Sequence, residues 1–185
     1  MEAFLISTGL VALAEIGDKT QLLALCLAAK FRKPLPIVLG ILIATLLNHA
    51  LAGALGAWLS QAIGEQAMRW ILGVSFIAMA IWMLIPDSLE APKEHTTRLG
   101  VLATTLIAFF LLEIGDKTQV ATIALAAKYD ALAAVVTGTT LGMMIANVPV
   151  VWMGDLVGAR LNVRLIQRIA AGIFGVLGVM VLVAK

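Results

Sequence analysis

The sequence has few of the side chains that build most structural metal sites and disulfide frameworks. Its 185 residues include one cysteine, Cys26, and two histidines, His49 and His95. One cysteine excludes an intramolecular disulfide, and this small set cannot form a cysteine–histidine metal cluster. Charge is also scarce, at 13% of residues with a formal net charge of +2, so nucleic acid is not an expected partner.

Apolar residues dominate the chain. They make up 62% of the sequence and give a mean hydropathy of +1.04, which is far from the composition of soluble domains. The length accommodates about six membrane spans of roughly 20 residues each, without a separate soluble domain. Because the N-terminus lacks the basic region of a signal peptide, the first apolar segment is expected to be a retained span.

Charged or proline-containing breaks divide the chain into six predicted transmembrane helices. They cover about 3–29, 35–60, 67–85, 99–127, 131–158 and 166–184. The longest polar connection, 86–98, is interpreted as a cytoplasmic linker between two three-helix units, 1–85 and 99–185. The predicted fold class is therefore an all-α membrane protein with six transmembrane helices.

The two halves are related in sequence. Glu15 and Gly40 recur as Glu113 and Gly138, and Asn48 recurs as Asn147. Since each unit has an odd number of spans, the second unit must enter the membrane from the opposite side. This pattern predicts two inverted three-helix repeats, as in secondary transporters, whose substrate sites lie near the midplane where the repeats meet.

One heptapeptide, Glu-Ile-Gly-Asp-Lys-Thr-Gln, occurs at 15–21 and again at 113–119, each time inside an apolar segment. An ionisable side chain at the centre of a membrane helix costs roughly 2.5 to 3.5 kcal/mol on insertion scales and usually faces a bundle interior or an ion path. Ion pairing within one helix is the simpler explanation for a single copy. Duplication in an inverted repeat favours a shared functional site.

The heptapeptides predict a site for a hard cation such as Ca²⁺, Mn²⁺ or Mg²⁺. On a continuous helix the acidic, lysine and glutamine side chains share one face, so two such faces supply four carboxylates and amide oxygens. The glycines lower helicity and allow the helix to open there instead. The predicted metal ligands are Glu15, Asp18, Gln21, Glu113, Asp116 and Gln119. The predicted supporting residues are Lys19, Thr20, Lys117, Thr118, Asn48 and Asn147.

Several isolated polar residues have simpler interpretations. For Asn48 and Asn147 an interhelical hydrogen bond is the favoured role, and a place lining the cation path is the alternative. His49 has no counterpart in the second half, where Val148 occupies its place, and is predicted to pack or to hydrogen-bond rather than to bind metal. Asp155 is also without a counterpart and is expected near the outer end of the fifth helix, where it attracts cations or is simply solvated.

The paired signature resembles the small membrane proteins of the manganese and calcium transporter family, whose eukaryotic members act in the Golgi. The resemblance covers essentially the whole chain and implies cation/proton antiport, with Mn²⁺ export in bacterial members and transport of Mn²⁺ and Ca²⁺ in eukaryotic ones. The family's acidic residues correspond by position to Glu15, Asp18, Glu113 and Asp116. The sequence lacks a long acidic central loop, and in this respect it resembles a bacterial plasma-membrane member of the family.

Loop charges predict the orientation. Eight basic residues lie on the side of the first, third and fifth connections and three on the opposite side. By the positive-inside rule the first side is cytoplasmic and both termini face outward. The expected partners are divalent cations, protons and lipid, and the bundle is compatible with a monomer or a homodimer. No cofactor is expected, because the metal ion is the transported substrate.

The leading hypothesis is that cytoplasmic Mn²⁺ binds the carboxylates and that protons displace it. A Ca²⁺/H⁺ antiporter with the same site is the main alternative. A passive divalent-cation channel, an intramembrane hydrolase with a carboxylate pair, and transport of another solute such as a cationic amino acid are less favoured.

Overall fold

The computed structural model describes residues 1–85, 100–153 and 163–183, and these ranges consist of helices joined by short connections. The predicted linker at 86–98 and Asp155 lie outside the described residues. In chain order the helices are α1 (Glu2–Glu15), α2 (Lys19–Phe31), α3 (Pro34–Ala62), α4 (Glu65–Met83), α5 (Val101–Glu113), α6 (Lys117–Tyr129), α7 (Leu132–Met153) and α8 (Val163–Val183).

Four of these helices are long and apolar enough to cross a membrane. The stretches that meet the requirement are Pro34–Ala62, Gln66–Met83, Leu132–Met153 and Arg164–Val183. They correspond to the second, third, fifth and sixth helices predicted from the sequence, with boundaries that agree within a few residues in the described ranges. The all-helical class is confirmed, with four candidate membrane spans among the described residues.

The first and fourth predicted helices are not continuous. Each is divided at its heptapeptide into two shorter helices, α1 with α2 and α5 with α6. The physical reason lies at the central glycine, which has φ of 79° at Gly17 and 77° at Gly115. A backbone in the left-handed region cannot continue a right-handed helix, and glycine adopts it without the steric cost that other residues meet.

The most extensive helix contacts join the two predicted halves. α1 lies along α7, and α5 lies along α3. The contacts are equivalent and close: an added Cβ at Gly138 of α7 would lie 2.6 Å from the Phe4 carbonyl oxygen, and one at Gly40 of α3 would lie 2.9 Å from the Leu102 carbonyl oxygen. Because small residues allow backbones to approach in this way, the two heptapeptides are brought into one bundle interior.

α4 and α8 form a further helix pair beside this core. Their contact includes the buried rings of Phe76 and Phe174, whose centroids are 6.1 Å apart. α4 also contacts α6, and α8 contacts α1, so the pair packs against the broken helices. The two long helices thus cover part of the interior that contains the heptapeptides.

Most charged side chains of the heptapeptides lie inside the bundle, and many large apolar side chains lie on its surface. Large apolar side chains such as Leu51, Trp58, Ile81, Trp152 and Met180 are exposed on the described surface. The fully or nearly fully buried polar side chains include those of Glu15, Asp18, Thr20, Asn48, His49, Glu113, Asp116, Lys117, Thr118 and Asn147. This arrangement suits a bundle surrounded by lipid, in which ionisable residues face the interior.

Candidate metal centre

The two heptapeptides interrupt their helices with the same backbone conformation. α1 ends at Glu15 and α5 ends at Glu113. The isoleucine that follows is extended in both, the glycine is left-handed, and the aspartate is extended, with φ and ψ of −80° and 167° at Asp18 and −80° and 166° at Asp116. The next helix begins at the lysine. Each break therefore places a glutamate at one helix end and an aspartate at the start of the next.

Two hydrogen bonds stabilise each break. The aspartate N–H donates to the carbonyl oxygen of the glutamate three residues earlier, at 3.0 Å in the first copy and 3.1 Å in the second. The glycine N–H donates to a glutamine side-chain oxygen, from Gly17 to Gln21 Oε1 at 2.8 Å and from Gly115 to Gln119 Oε1 at 2.7 Å. A backbone donor that the broken helix would leave without a partner is thereby satisfied.

The two glutamines thus have a positional role that the helical-face interpretation missed. Gln21 is held further by its Nε2 group, which donates to the Ala146 carbonyl oxygen of α7 at 2.9 Å. The predicted role of Gln21 and Gln119 as metal ligands stays a prediction. Each amide oxygen retains a second lone pair beside the one that accepts from glycine.

Three buried carboxylates from the two heptapeptides converge. One carboxylate oxygen each of Glu15, Asp18 and Asp116 lies within 4.8 Å of the others. These side chains are almost completely shielded from solvent. We call Glu15, Asp18 and Asp116 the carboxylate cluster. Its oxygens are spaced closely enough to bind one cation together, because two ligands of a divalent ion at about 2.0 to 2.6 Å lie roughly 3 to 5 Å apart.

The lysines pair with the aspartates of the opposite heptapeptide. Lys19 Nζ lies 2.7 Å from Asp116 Oδ1, and Lys117 Nζ lies 3.8 Å from Asp18 Oδ1. These cross-pairs were not predicted, since the sequence only indicated that lysine and carboxylate shared a helical face. They place positive charge next to the carboxylate cluster from both halves.

The threonines hold carboxylate oxygens. Thr20 Oγ1 donates to Glu15 Oε2. Thr118 approaches Asp116 Oδ2 instead, through its N–H at 3.5 Å and its hydroxyl at 3.4 Å. Thr20 therefore holds the glutamate of its own heptapeptide, whereas Thr118 lies among Asp116, Glu15 and Glu113.

The asparagines also differ between the halves. Asn48 Nδ2 donates to the Phe110 carbonyl oxygen at 3.0 Å, the interhelical bond expected between α3 and α5. Asn147 Nδ2 donates within its own helix to the Met143 carbonyl oxygen at 3.1 Å. The buried Asn147 Oδ1 has no hydrogen-bond donor among the described residues.

Glu113 is not one of the three carboxylates that lie within 4.8 Å of one another, but it is close enough for its charge to interact with theirs, and it faces His49. The Glu113 carboxylate is completely buried, and the Thr118 hydroxyl near it lies outside hydrogen-bond geometry, as do the other donors of the described residues. The ring of His49 faces this carboxylate, with its Nε2 3.9 Å from Glu113 Oε2. Neither ring nitrogen of His49 has a hydrogen-bond partner in the described part of the chain. Of the two roles predicted for His49, packing or hydrogen bonding, its completely buried position fits packing, and no hydrogen bond to it is found among the described residues.

Comparison with known proteins finds relatives over nearly the whole chain. The family model described as "Divalent cation/proton antiporter GDT1" matches residues 3–91 and 101–185. A Vibrio cholerae protein named "Putative manganese exporter" is 51% identical, covering 94% of this chain and 87% of the relative. A GDT1-like protein of Synechocystis is 28% identical over 94% of this chain and 93% of its own. GDT1-like protein 3 of Oryza sativa is 26% identical, covering 94% of this chain and 71% of the relative. No solved structure matches the chain.

Proposed function

Because the chain belongs to the GDT1 family of divalent cation/proton antiporters, we propose that it exports Mn²⁺ from the cytoplasm in exchange for protons. The observation that carries this proposal is the carboxylate cluster, in which oxygens from both heptapeptides lie within 4.8 Å of one another in a buried interior. Family membership makes the protein a multi-pass membrane transporter and not an enzyme, which removes the intramembrane hydrolase from consideration.

The choice of Mn²⁺ rests on the ligand chemistry and on the named relative. Carboxylate oxygens suit hard divalent cations, a class that contains Mn²⁺, Mg²⁺ and Ca²⁺. The Vibrio cholerae relative, at 51% identity, is named for manganese export. A Ca²⁺/H⁺ antiporter is the second candidate, since the family description specifies a divalent cation without naming it.

We further propose that the broken helices cross the membrane as pairs. α1 with α2 and α5 with α6 would then add two spans to the four long helices, giving two inverted three-helix repeats. The discontinuous helices of secondary transporters bind ions at such breaks, where helix ends and side chains meet near the midplane. The excess of basic residues on the loops after the first, third and fifth spans would place the termini outside the plasma membrane of a bacterium.

The charges of the site support binding of one divalent cation. Four carboxylates and two lysine ammonium groups leave an excess of two negative charges when all are ionised. In the proposed cycle, Mn²⁺ binds Glu15, Asp18, Glu113 and Asp116 and neutralises the two negative charges that the lysines leave. Gln21 and Gln119 contribute through the free lone pairs of their amide oxygens. Protons arriving from outside compete for the same carboxylates and release the metal.

The exchange is tested with purified protein in liposomes that contain a pH-sensitive dye. Mn²⁺ added outside should enter and drive protons out, so the interior pH should rise. Glu113→Gln keeps the size of the side chain and removes a charge from the site, and it should abolish the exchange while the protein stays folded. The matched control is Glu2→Gln, because Glu2 is an exposed residue in the first turn of α1.

Each alternative gives a different result in this assay. Exchange driven by Ca²⁺ at lower concentrations than Mn²⁺ would support the second candidate. Metal entry without proton movement would indicate a channel. Full exchange by Glu113→Gln would refute the assignment of the site.

A further inference from the structure

The contact between His49 and Glu113 has no equivalent in the other half of the protein. By the internal repeat, Glu15 corresponds to Glu113, but Val148 occupies the position that corresponds to His49. Glu15 accepts a hydrogen bond from Thr20, whereas the Thr118 hydroxyl near Glu113 lies outside hydrogen-bond geometry with it. The two glutamates of the repeated signature therefore have different surroundings, and the difference introduces an imidazole on one side only.

Burial makes the lack of partners significant. The side chains of His49 and Glu113 are both completely shielded from solvent. A buried polar atom without a hydrogen-bond partner costs about 1 to 3 kcal/mol, and more when it carries charge, so such atoms usually have a partner that is not a protein group. At 3.9 Å, His49 Nε2 and Glu113 Oε2 are too far apart to satisfy each other by a hydrogen bond.

A divalent cation satisfies both groups at this distance. Two ligands of the same ion, each about 2.0 to 2.6 Å from it, are roughly 3 to 5 Å apart. The Glu113 carboxylate is close enough to the carboxylate cluster for its charge to interact with those of Glu15, Asp18 and Asp116. An ion bound by Glu113 and His49 would thus lie beside the cluster rather than at a remote site.

We propose that His49 is a ligand of the transported cation: its imidazole binds the ion together with the Glu113 carboxylate and favours transition-metal cations over Ca²⁺. The inference rests on the proposed function and names what selects the substrate. Ca²⁺ is bound almost entirely by oxygen, whereas neutral imidazole is the commonest nitrogen ligand of first-row transition metals. A site of carboxylates alone would have little chemical basis for distinguishing Mn²⁺ from Mg²⁺ and Ca²⁺.

The first test detects the nitrogen ligand directly. The full chain is purified in detergent, loaded with MnCl₂ and examined by pulsed electron paramagnetic resonance, which resolves coupling between Mn²⁺ and a bound nitrogen. The control variant is His95→Gln, in which His49 is the only histidine left. We expect a nitrogen coupling in the wild type and in His95→Gln. In His95→Gln protein labelled with ¹⁵N-histidine, the coupling should change to the ¹⁵N pattern.

Absence of any histidine coupling in His95→Gln protein that has bound Mn²⁺ would overturn the proposal. This experiment needs no change at His49, so it decides the question even if variants at that buried position fail to fold.

The second test measures selectivity in the liposome assay. His49→Val introduces the residue that the other half has at the equivalent position, and His49→Gln replaces the ring nitrogen by amide groups. Loss of even an outer-shell group typically weakens metal binding 10- to 100-fold. We therefore expect the Mn²⁺ concentration for half-maximal exchange to rise about tenfold or more, with about twofold or less change for Ca²⁺.

The outcomes separate this inference from the proposed function. A wild-type protein that exchanges neither Mn²⁺ nor Ca²⁺ for protons would refute the proposed function, and this inference with it. A wild type that exchanges Mn²⁺, with an unchanged ratio of Mn²⁺ to Ca²⁺ requirements in His49→Val and His49→Gln, would refute the role of His49 alone.

Discussion

Replacing Gly115 by alanine should destabilise the protein through the backbone alone. Gly115 has φ of 77°, and a Cβ added there would meet no atom within 4 Å. The added methyl group therefore creates no clash, and the whole cost comes from holding an L-residue in the left-handed region. That cost is about 1 to 2 kcal/mol per residue. We expect a loss of this size in the free energy of unfolding.

Gly9→Ala provides a matched control with the opposite expected sign. Gly9 lies inside α1, and a Cβ at this position also meets no atom within 4 Å. Here alanine replaces glycine within a helix, a change that stabilises by roughly 0.5 to 1 kcal/mol. The same methyl group is thus added at two unobstructed positions, and only the backbone conformation differs.

Unfolding in mixed micelles with increasing denaturing detergent measures both variants against the wild type. Exchange by Gly115→Ala in liposomes should also fall, because the break at Gly115 sets the positions of Glu113 and Asp116. If Gly115→Ala were as stable as Gly9→Ala and transported Mn²⁺ normally, α5 and α6 would form one continuous helix. The description of the site as two broken helices would then be refuted.

Two further substitutions test the site and the packing around it. Lys117→Met removes the ammonium group that lies 3.8 Å from the buried Asp18 carboxylate, and breaking a buried pair in this way costs about 3 to 5 kcal/mol. Added Mn²⁺ should restore much of this loss in thermal unfolding, and an equal loss with and without Mn²⁺ would contradict cation binding at this position. Gly138→Ala places a Cβ 2.6 Å from the Phe4 carbonyl oxygen, so α1 must move away from α7. We expect destabilisation of about 1 to 3 kcal/mol in the same unfolding assay, and wild-type stability would contradict the close approach.

The long helices could be predicted because hydropathy alone determines them. α3, α4, α7 and α8 contain apolar runs with charged or proline-containing ends, and no tertiary information is needed to find them. The position of the helix breaks was also accessible, since Gly17 and Gly115 occupy equivalent places in the duplicated signature. The exact conformation could not be predicted, because a glycine within an apolar helix is compatible with both a continuous and a broken helix.

The side-chain contacts of the site depend on packing between distant parts of the chain. A continuous helix would pair Lys19 with Glu15 four residues earlier, but the break turns Lys19 toward Asp116 across the bundle. The same break leaves the Gly17 N–H without a helical partner, and the side-chain oxygen of Gln21 accepts a hydrogen bond from it. Sequence spacing could not show either contact, since both follow from the loss of helical geometry.

His49 shows how the repeat can mislead as well as guide. Correspondence between the halves identified the heptapeptides, and it discounted His49 because Val148 lacks its chemistry. Yet the packing of α3 along α5 places His49 opposite Glu113. His49 has no counterpart in the other half, whereas Glu113 corresponds to Glu15. An inverted repeat gives a transporter two similar arrangements of one site, but its cargo needs a single set of ligands. A departure from symmetry beside the repeated carboxylates is therefore a place where selectivity can arise without altering the machinery that the two halves share.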